Sequence, residues 1–399
     1  MMAGGFIALG MNWWEAILTV LLGNLIVLVP ILLNSQPGTK YGIPFPVYAR
    51  ASFGVVGANI PAVLRALIAA GWFGIEAVIG GSAIQAFLLE LIPAWAKFSA
   101  SGSFLGQNLG QWITFLAFWA LNIWVIFHGM QAVKRFEAWA GPLVLALGVA
   151  LLIWAISAAH GLGPMLKQPG TLHTPSAFLA VFIPSLTGVV GFWSTLSLNI
   201  PDFSRFAHSQ KDQWWGQTIG LPTTMVVFSG IGVLVTSASV VIFGHAISDP
   251  VTLLGHFHNP LLLVVALGAV VVATLSVNVA ANVVSPAYDF IQLFPRRLNF
   301  QRAGLLTGIL SIVMMPWLLL SDPHIYIFDW LDVYSGFLGP IAAILIADYW
   351  VYRQKTLDVV ALYQKSGAYW YDRGYNGRAL FALAAGIVVA LIGTVVPLL

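Results

Sequence analysis

The sequence contains no cysteine and carries very little charge. The absence of cysteine from its 399 residues excludes disulfide bonds and thiolate-bound metal sites. Charged residues make up 8% of the chain, whereas a soluble domain is usually about a quarter charged. A surface with so little charge would not stay dissolved in water, so the composition indicates that lipid is the solvent.

Long apolar runs fill the sequence, and 59% of the residues are hydrophobic. A run of about 20 apolar residues can cross roughly 30 Å of hydrocarbon. Because no long soluble stretch separates the runs, we predict one all-α polytopic membrane domain over residues 1–399. About ten full spans are expected, at residues 13–34, 61–91, 109–130, 140–160, 178–200, 216–244, 260–290, 303–320, 328–351 and 377–398.

The basic residues predict the orientation of these spans. Ten spans place 15 of the 17 lysines and arginines on one side and only Lys97 and Lys167 on the other. Loops rich in basic residues are retained in the cytoplasm. We therefore predict a multi-pass protein of the inner (plasma) membrane. On its cytoplasmic side, segment 40–61 is either an interfacial helix or loop, or a gate that closes the inner end.

One span has a helix-breaking composition near its middle. Pro184, Gly188 and Gly191 cluster in span 178–200. Proline removes a helical hydrogen bond, and glycine tolerates unwound backbone. Transporters use such breaks at the membrane midplane to bind substrate and ions. A kinked packing helix would give the same pattern, so both readings stay open.

A second span carries a polar strip. Ser276, Asn278, Asn282 and Ser285 recur at spacings of 2, 4 and 3 in span 260–290. Such residues can hold helices together through interhelical hydrogen bonds. They can also line a substrate cavity, where the amide of Asn282 would supply both a donor and an acceptor.

The stretch "GWFGIEAVIGG", residues 71–81, places a carboxylate in the middle of an apolar span. A charge at mid-bilayer costs about 3 kcal/mol on insertion scales, so Glu76 is expected to face the interior of the bundle. Trp72 lies one turn earlier on the same face. Together they would suit a planar ligand with ring N–H groups, although a structural glutamate tied to a neighbouring helix is an equal alternative.

Several longer motifs resemble one known family. "YGIPFPVYARASFG", "GWFGIEAVIGG", "GFWSTLSLNIPDFSRFA" and "NVAANVVSPAYDFIQLFPRR" are similar to the nucleobase–cation symporter family of cytosine, purine, uracil, thiamine and allantoin permeases, and most of all to its allantoin and uracil branch. The resemblance implies a five-plus-five inverted repeat with broken helices. Its substrate site would lie between a four-helix bundle and a hash motif.

The resemblance also implies residue roles. Two tryptophans would sandwich a flat ring, a glutamate and an asparagine would bind its edge, and a leucine would gate the site. The family's hydantoin transporter has glutamine where this chain has the glutamate. The implied substrate-binding residues are Trp72, Glu76, Phe192, Trp193, Asn282 and Leu331.

The coupling ion is left open by the sequence. The family's sodium site matches Ala273 and Ser276 here, but its third position is Val277, which has no hydroxyl. A proton carried by Glu76 or Asp202 is therefore an equal alternative. No resident cofactor, metal site or nucleic-acid partner is expected, and the oligomeric state stays undetermined.

The expected function is secondary active uptake of a planar nitrogen heterocycle, such as allantoin, uracil or a related nucleobase or hydantoin, driven by a proton or sodium gradient through alternating access. Relative to the family, "MMAGGFIALG" resembles only the tail of the first helix, and the last helix is missing. A non-transporting remnant or a binding-only membrane protein is therefore an alternative. A membrane-embedded enzyme is another, but the sequence has no HExxH motif and no nucleophile elbow.

Overall fold

A computed structural model describes residues 2–128, 130–256, 260–322 and 324–395. These ranges are mostly helical, and their one sheet is a small hairpin of β1 (Ser103–Phe104) and β2 (Gln107–Asn108). The first nine helices are α1 (Met2–Ala8), α2 (Trp13–Tyr41), α3 (Phe45–Phe53), α4 (Asn59–Leu91), α5 (Pro93–Ser99), α6 (Leu109–Phe127), α7 (Met130–Ala158), α8 (Leu162–Leu166) and α9 (Pro175–Phe192).

Ten further helices follow in the second half. They are α10 (Ser194–Asn199), α11 (Pro201–Ser204), α12 (Gln210–Phe243), α13 (Pro250–Leu254), α14 (Pro260–Asn282), α15 (Val284–Leu293), α16 (Phe300–Val313), α17 (Pro316–Leu319), α18 (Val333–Ile346) and α19 (Gly377–Val395). Two π-helical segments, Ile325–Asp332 and Ala347–Tyr352, extend α18 at both ends, and Ala361–Tyr363 forms one 3₁₀ turn.

The predicted spans coincide with apolar helices. Within the described ranges, eight segments are long and apolar enough to cross a membrane: Trp13–Tyr41, Asn59–Leu91, Leu109–Phe127, Ala138–Ala158, Pro175–Asn199, Gln210–Phe243, Leu263–Leu293 and Ile325–Tyr352. Two shorter apolar helices, Phe300–Val313 and Gly377–Ile392, match the remaining two predictions. The prediction of an all-α polytopic membrane protein is confirmed. The helix in the predicted span 303–320 is shorter than expected, and the end of the last predicted span, residues 396–398, lies outside the described residues.

Local capping explains where several of these helices begin and end. The Asn12 side chain accepts from the Glu15 amide while the Glu15 carboxylate accepts from the Asn12 amide, so this capping box starts α2. Gly42 ends α2 in the left-handed conformation, with φ of 69°. Helix α2 includes Pro37 and ends at Tyr41, seven residues after the end of the predicted span 13–34.

Of the two readings left open for span 178–200, the structure shows an interrupted helix, with the break at Trp193 between α9 and α10. Pro184 stays inside α9, and the glycines precede the break. Two hydroxyl groups, Tyr334 Oη and Ser194 Oγ, each donate to the Gly191 carbonyl at 2.7 Å. The backbone acceptor is thereby satisfied although the helix is interrupted, which is the condition for unwound backbone inside a membrane.

A second break separates α14 from α15 at Val283, whose φ is −119° and ψ is −45°. The sequence predicted a polar strip here but no interruption. Two members of that strip lie beside the break: Asn282 ends α14, and Ser285 is in the first turn of α15. Polar side chains next to the junction can replace backbone hydrogen bonds that the α-helix loses there.

Helix α4 forms the centre of the fold and packs against α6, α14, α15 and α16. Its glycines allow the backbones to approach closely, as small residues do in membrane bundles. A Cβ atom on Gly81 would lie 2.8 Å from the Phe115 Cα atom and 2.9 Å from its amide nitrogen on α6. Because those are backbone atoms, the neighbour cannot move aside by changing a rotamer.

We predict that Gly81→Ala lowers the thermal stability of the purified protein, because overpacking against a backbone costs about 1–3 kcal/mol. Gly141→Ala is the matched control, since Gly141 is also helical and no atom lies within 4 Å of its added Cβ. Alanine is the better helix former, so the control should be neutral or stabilising. Unfolding temperatures in detergent measure both changes, and equal effects would contradict the packing argument.

Candidate functional site

A cavity of about 330 Å³ opens beside the middle of α4. Trp72 and Glu76 of α4, Phe192 of α9 and Tyr326 of the first π-helical segment line one part of it. The start of α1 and the part of α12 around Met225 line the rest. Three predicted site residues thus surround one space, which we call the Trp72 cavity.

The Trp72 indole is held at the centre of an aromatic cluster. Four rings meet it edge to face, with centroid distances of 5.2 to 6.4 Å: Phe192, Tyr326, Tyr334 and Trp330. Such pairs contribute about 0.5–1.5 kcal/mol each beyond their buried area. Only 6% of Trp72 is exposed. The protein therefore fixes the orientation of this ring before any ligand is present.

Glu76 lies one helical turn from Trp72 and is partly buried at the cavity wall. Within the described residues its carboxylate has no hydrogen bond or ion pair. Buried polar groups are nearly always paired, because an unpaired one loses its hydration without compensation. An unpaired carboxylate at a cavity can bind a donor from a ligand, or a proton.

Tyr326 is a cavity residue that the sequence analysis missed. It lies before the predicted span 328–351, in the π-helical segment Ile325–Asp332. Its ring centroid is 6.1 Å from that of Trp72. A tyrosine near a predicted span end is normally an interfacial residue, so the sequence carried no signal that it faces the cavity.

Trp193 lies at the helix break but outside the lining of the Trp72 cavity. Its side chain packs against the buried cluster of Val27, Ile31 and Ile200. Its ring centroid is 5.3 Å from that of Phe192. In this conformation the structure brings Phe192, rather than Trp193, to the indole of Trp72.

Leu331 and Asn282 are close to the cavity but do not line it. Leu331 is fully buried and packs against α9, with its carbonyl 2.8 Å from the Cβ position of Gly191. Asn282 donates to Asn278 Oδ1 at 3.1 Å, and Asn278 donates to the carbonyl of Phe73 at 3.2 Å. This chain of hydrogen bonds ends at the residue that follows Trp72.

The implied sodium positions lie together on α14. Ser276 is buried, Ala273 is half-buried three residues before it, and the side chain of Val277 is 48% exposed. The two candidate residues are therefore inside the bundle, and the position without a hydroxyl lies at its surface. No group of three His, Asp or Glu side chains in the described ranges could hold a metal ion.

A buried ion pair at the bundle end that is predicted to be cytoplasmic was not foreseen from the sequence. Arg65 of α4 and Asp289 of α15 are 3.2 Å apart, and their side chains are 1% and 0% exposed. The sequence analysis counted Arg65 among the basic residues of the predicted cytoplasmic side, and it lies in the first part of α4, within the predicted span 61–91. The available signal in the sequence was that Arg65, Asp202 and Asp289 are ionisable and lie near span ends on the side predicted to be cytoplasmic.

Further polar residues join this ion pair to other helices. Asp202 of α11 is 2% exposed and accepts from the Phe45 amide of α3 at 2.8 Å. Burial raises the pKa of the Asp202 carboxyl, while the nearby Arg65 guanidinium lowers it. Asn199 contacts Ser285 and, with its amide oxygen turned toward the donors, accepts from Arg65 Nη2 at 2.8 Å. The inner polar cluster consists of Arg65, Asn199, Asp202, Ser285 and Asp289.

Comparison with known proteins identifies similar chains along the whole sequence. The family described as "Permease for cytosine/purines, uracil, thiamine, allantoin" matches residues 1–398. The allantoin permease of Bacillus subtilis (strain 168) is 44% identical over 397 residues, which are 99% of this chain and 81% of that one. The purine-uracil permease NCS1 of Arabidopsis thaliana is also 44% identical, over 98% of this chain and 65% of that one.

A solved structure has the same fold. It is a nucleobase-cation-symport-1 family transporter in a closed conformation with bromovinylhydantoin bound, and it superimposes with a TM-score of 0.77 at 24% identity. The match covers 98% of this chain and 86% of that one. The predicted inverted-repeat transporter fold is thereby confirmed.

We predict that Asp289→Asn strongly destabilises the protein, because breaking a fully buried ion pair costs about 3–5 kcal/mol. Asp348→Asn is the matched control: Asp348 pairs with Arg353 at 2.6 Å, but about a fifth of each side chain is exposed. Partly exposed pairs contribute about 1 kcal/mol or less. Unfolding temperature and yield from membranes measure the difference, and similar losses for both variants would contradict it.

Proposed function

The chain belongs to the family of permeases for cytosine/purines, uracil, thiamine and allantoin, and we propose that its substrate is a planar nitrogen heterocycle such as allantoin, uracil or a hydantoin. Family membership makes it a multi-pass plasma-membrane permease rather than an enzyme. We further propose that residues 1–399 form one transporter domain that works by secondary active uptake. The permeases named above support this substrate class.

The carboxylate of Glu76, which has no hydrogen-bond or ion-pair partner among the described residues and lies beside the Trp72 indole, is the observation that carries the proposal. The two residues share a face of α4 and line a cavity of about 330 Å³. Small-molecule sites are typically apolar cavities of about 300–1,000 Å³ with a few polar groups that fix the ligand's orientation. This cavity has that composition.

The chemistry of the site suits a flat ring with N–H groups. The indole of Trp72 would contact the face of the ring, and stacking on an aromatic contributes about 1–3 kcal/mol for a nucleobase. The Glu76 carboxylate accepts N–H donors from its edge, and hydrogen bonds to a charged group are stronger than neutral ones. Phe192 and Tyr326 would surround the ring and exclude water.

Trp193, Asn282 and Leu331 are proposed to act in another conformation of the transport cycle. Both helix breaks, at Trp193 and at Val283, lie next to these residues. Hinges of this kind absorb backbone changes when a binding site closes. Closure around the substrate would bring Trp193 and Asn282 to the ring, and Leu331 would seal the site.

We propose proton coupling through Glu76. A protonated carboxyl is both a donor and an acceptor, whereas a carboxylate only accepts, so protonation changes which ligand edge it binds. Substrate and proton would then shift the population between outward-open and inward-open states. Sodium at Ala273 and Ser276 is the competing proposal.

The substrate assignment predicts uptake of radiolabelled allantoin, uracil or hydantoin by cells that lack their own nucleobase permeases. Glu76→Gln should weaken apparent affinity at least about tenfold, since it removes a charged acceptor. Trp72→Phe should also reduce uptake, because it shrinks the stacking surface. Trp124→Phe is the control and should not reduce uptake, because Trp124 of α6 is 60% exposed and lies outside the cavity. Membrane protein levels control for folding.

The outcomes separate the competing functions. No uptake of any of these compounds, with normal membrane insertion, would overturn the transport proposal. Binding of a substrate by the purified protein without uptake by cells would favour the binding-only alternative. Uptake unaffected by either cavity variant would leave transport standing but contradict the assigned site.

The coupling proposal predicts that an inward proton gradient drives accumulation in proteoliposomes without sodium. Glu76→Gln should abolish the response to this gradient, because glutamine cannot bind the proton. Ser276→Ala should have little effect on it. Accumulation that requires sodium and is lost in Ser276→Ala would instead support the sodium site and contradict proton coupling.

A further inference from the structure

A second cavity, of about 390 Å³, lies where the C-terminal part of α2 meets the N-terminal end of α12, on the side predicted to be cytoplasmic. It shares no lining residue with the Trp72 cavity. Lys211 and Lys355 belong to its wall, together with three glutamines, two leucines and three tryptophans, and none of the lining residues is acidic. We call it the lysine cavity. Its composition combines positive charge with apolar surface.

The position of Lys355 is fixed by its surroundings. Its backbone is left-handed, with φ of 62°. Its carbonyl accepts from Lys40 Nζ at 2.6 Å and from Tyr41 Oη at 3.0 Å. Its own ammonium group lies 4.9 Å from the centre of the Trp350 ring, at the cavity wall. A charge held in this way is preorganised for an anionic ligand.

Lys211 supplies the second positive charge, in the first turn of α12. The positive end of the helix dipole adds to it there. The neighbouring Asp212 accepts from Ser209 Oγ at 2.8 Å as part of the helix cap. Within the described residues, Lys211 and Lys355 form no ion pair with a carboxylate. The cavity therefore has an unbalanced positive charge.

An exposed apolar strip leads from the cavity toward the middle of the membrane. On α12, Trp215 and Ile219 follow Lys211 at successive four-residue steps, and they are 51% and 57% exposed. On the neighbouring helix α2, Val29 lies one turn from Leu33 of the cavity and is 56% exposed. The strip is continuous with the cavity and long enough to contact an acyl chain.

We propose that the lysine cavity binds one anionic phospholipid of the inner leaflet. The phosphate lies between Lys211 and Lys355, the glutamines bind the polar headgroup, and an acyl chain follows the strip along α12 and α2. Charge complementarity favours an anionic lipid over a zwitterionic one, and basic clusters at the cytoplasmic surface attract such lipids. The apolar strip favours a lipid over a free anion, which would use the lysines alone. The proposal is independent of the transported substrate.

The test is native mass spectrometry of the full chain, purified in detergent, delipidated, and titrated with dioleoyl-phosphatidylglycerol, dioleoyl-phosphatidylcholine or inorganic phosphate. We expect one phosphatidylglycerol to be retained in preference to phosphatidylcholine, without competition from phosphate. Lys211→Gln and Lys355→Gln should each weaken retention of phosphatidylglycerol about fivefold. This is the change in affinity expected when one lysine near an anionic lipid headgroup is lost. Lys365→Gln, an exposed cytoplasmic control outside the cavity, should not.

Three results would overturn the proposal. Equal retention of both lipids would show that charge does not select the occupant. Equal loss in Lys365→Gln would show that general surface charge is responsible. Competition by phosphate at equal concentration would show that the cavity binds a free anion. Unfolding temperatures of the delipidated variants, expected to equal that of the parent chain, separate lost binding from lost folding.

Discussion

In hydrocarbon, every backbone N–H and C=O must find a partner within the protein, and the architecture of this transporter depends on that constraint. Where α9 is interrupted, the hydroxyls of Tyr334 and Ser194 bind the free carbonyl of Gly191. These two side chains permit a junction that an isolated helix could not sustain in lipid. The junction in turn places Phe192 on one side, against Trp72, and Trp193 on the other, against the cluster of Val27, Ile31 and Ile200.

The candidate site is built from several segments because no single helix could form it. Helix α4 supplies an aromatic plane and a carboxylate at four-residue spacing, and close helix packing around its glycines keeps it at the centre of the bundle. The broken helix supplies Phe192, and the π-helical segment supplies Tyr326. Two of these three contributions come from irregular backbone, which is consistent with the use of such regions for binding in membrane transporters.

The sequence predicted the spans well because hydrophobicity and length alone determine what can cross a bilayer. It also identified the face shared by Trp72 and Glu76, since helical spacing is local information. It could not determine which way Trp193 points, because one residue of shift in a helix break rotates a side chain by about 100°. The pairing of Arg65 with Asp289 was equally out of reach, since 224 positions separate the two residues and only the tertiary fold brings them together.

The inner polar cluster has a consequence for how this end of the bundle, which is predicted to be cytoplasmic, can move. Arg65, Asp202 and Asp289 are almost completely shielded from solvent where α4, α11 and α15 meet. Separating these helices in a dry environment would leave bare charges, at a cost of several kcal/mol for each. Hydration must therefore accompany the separation, and an opening at this end would form as a wetted vestibule rather than as a dry cleft between sliding apolar surfaces.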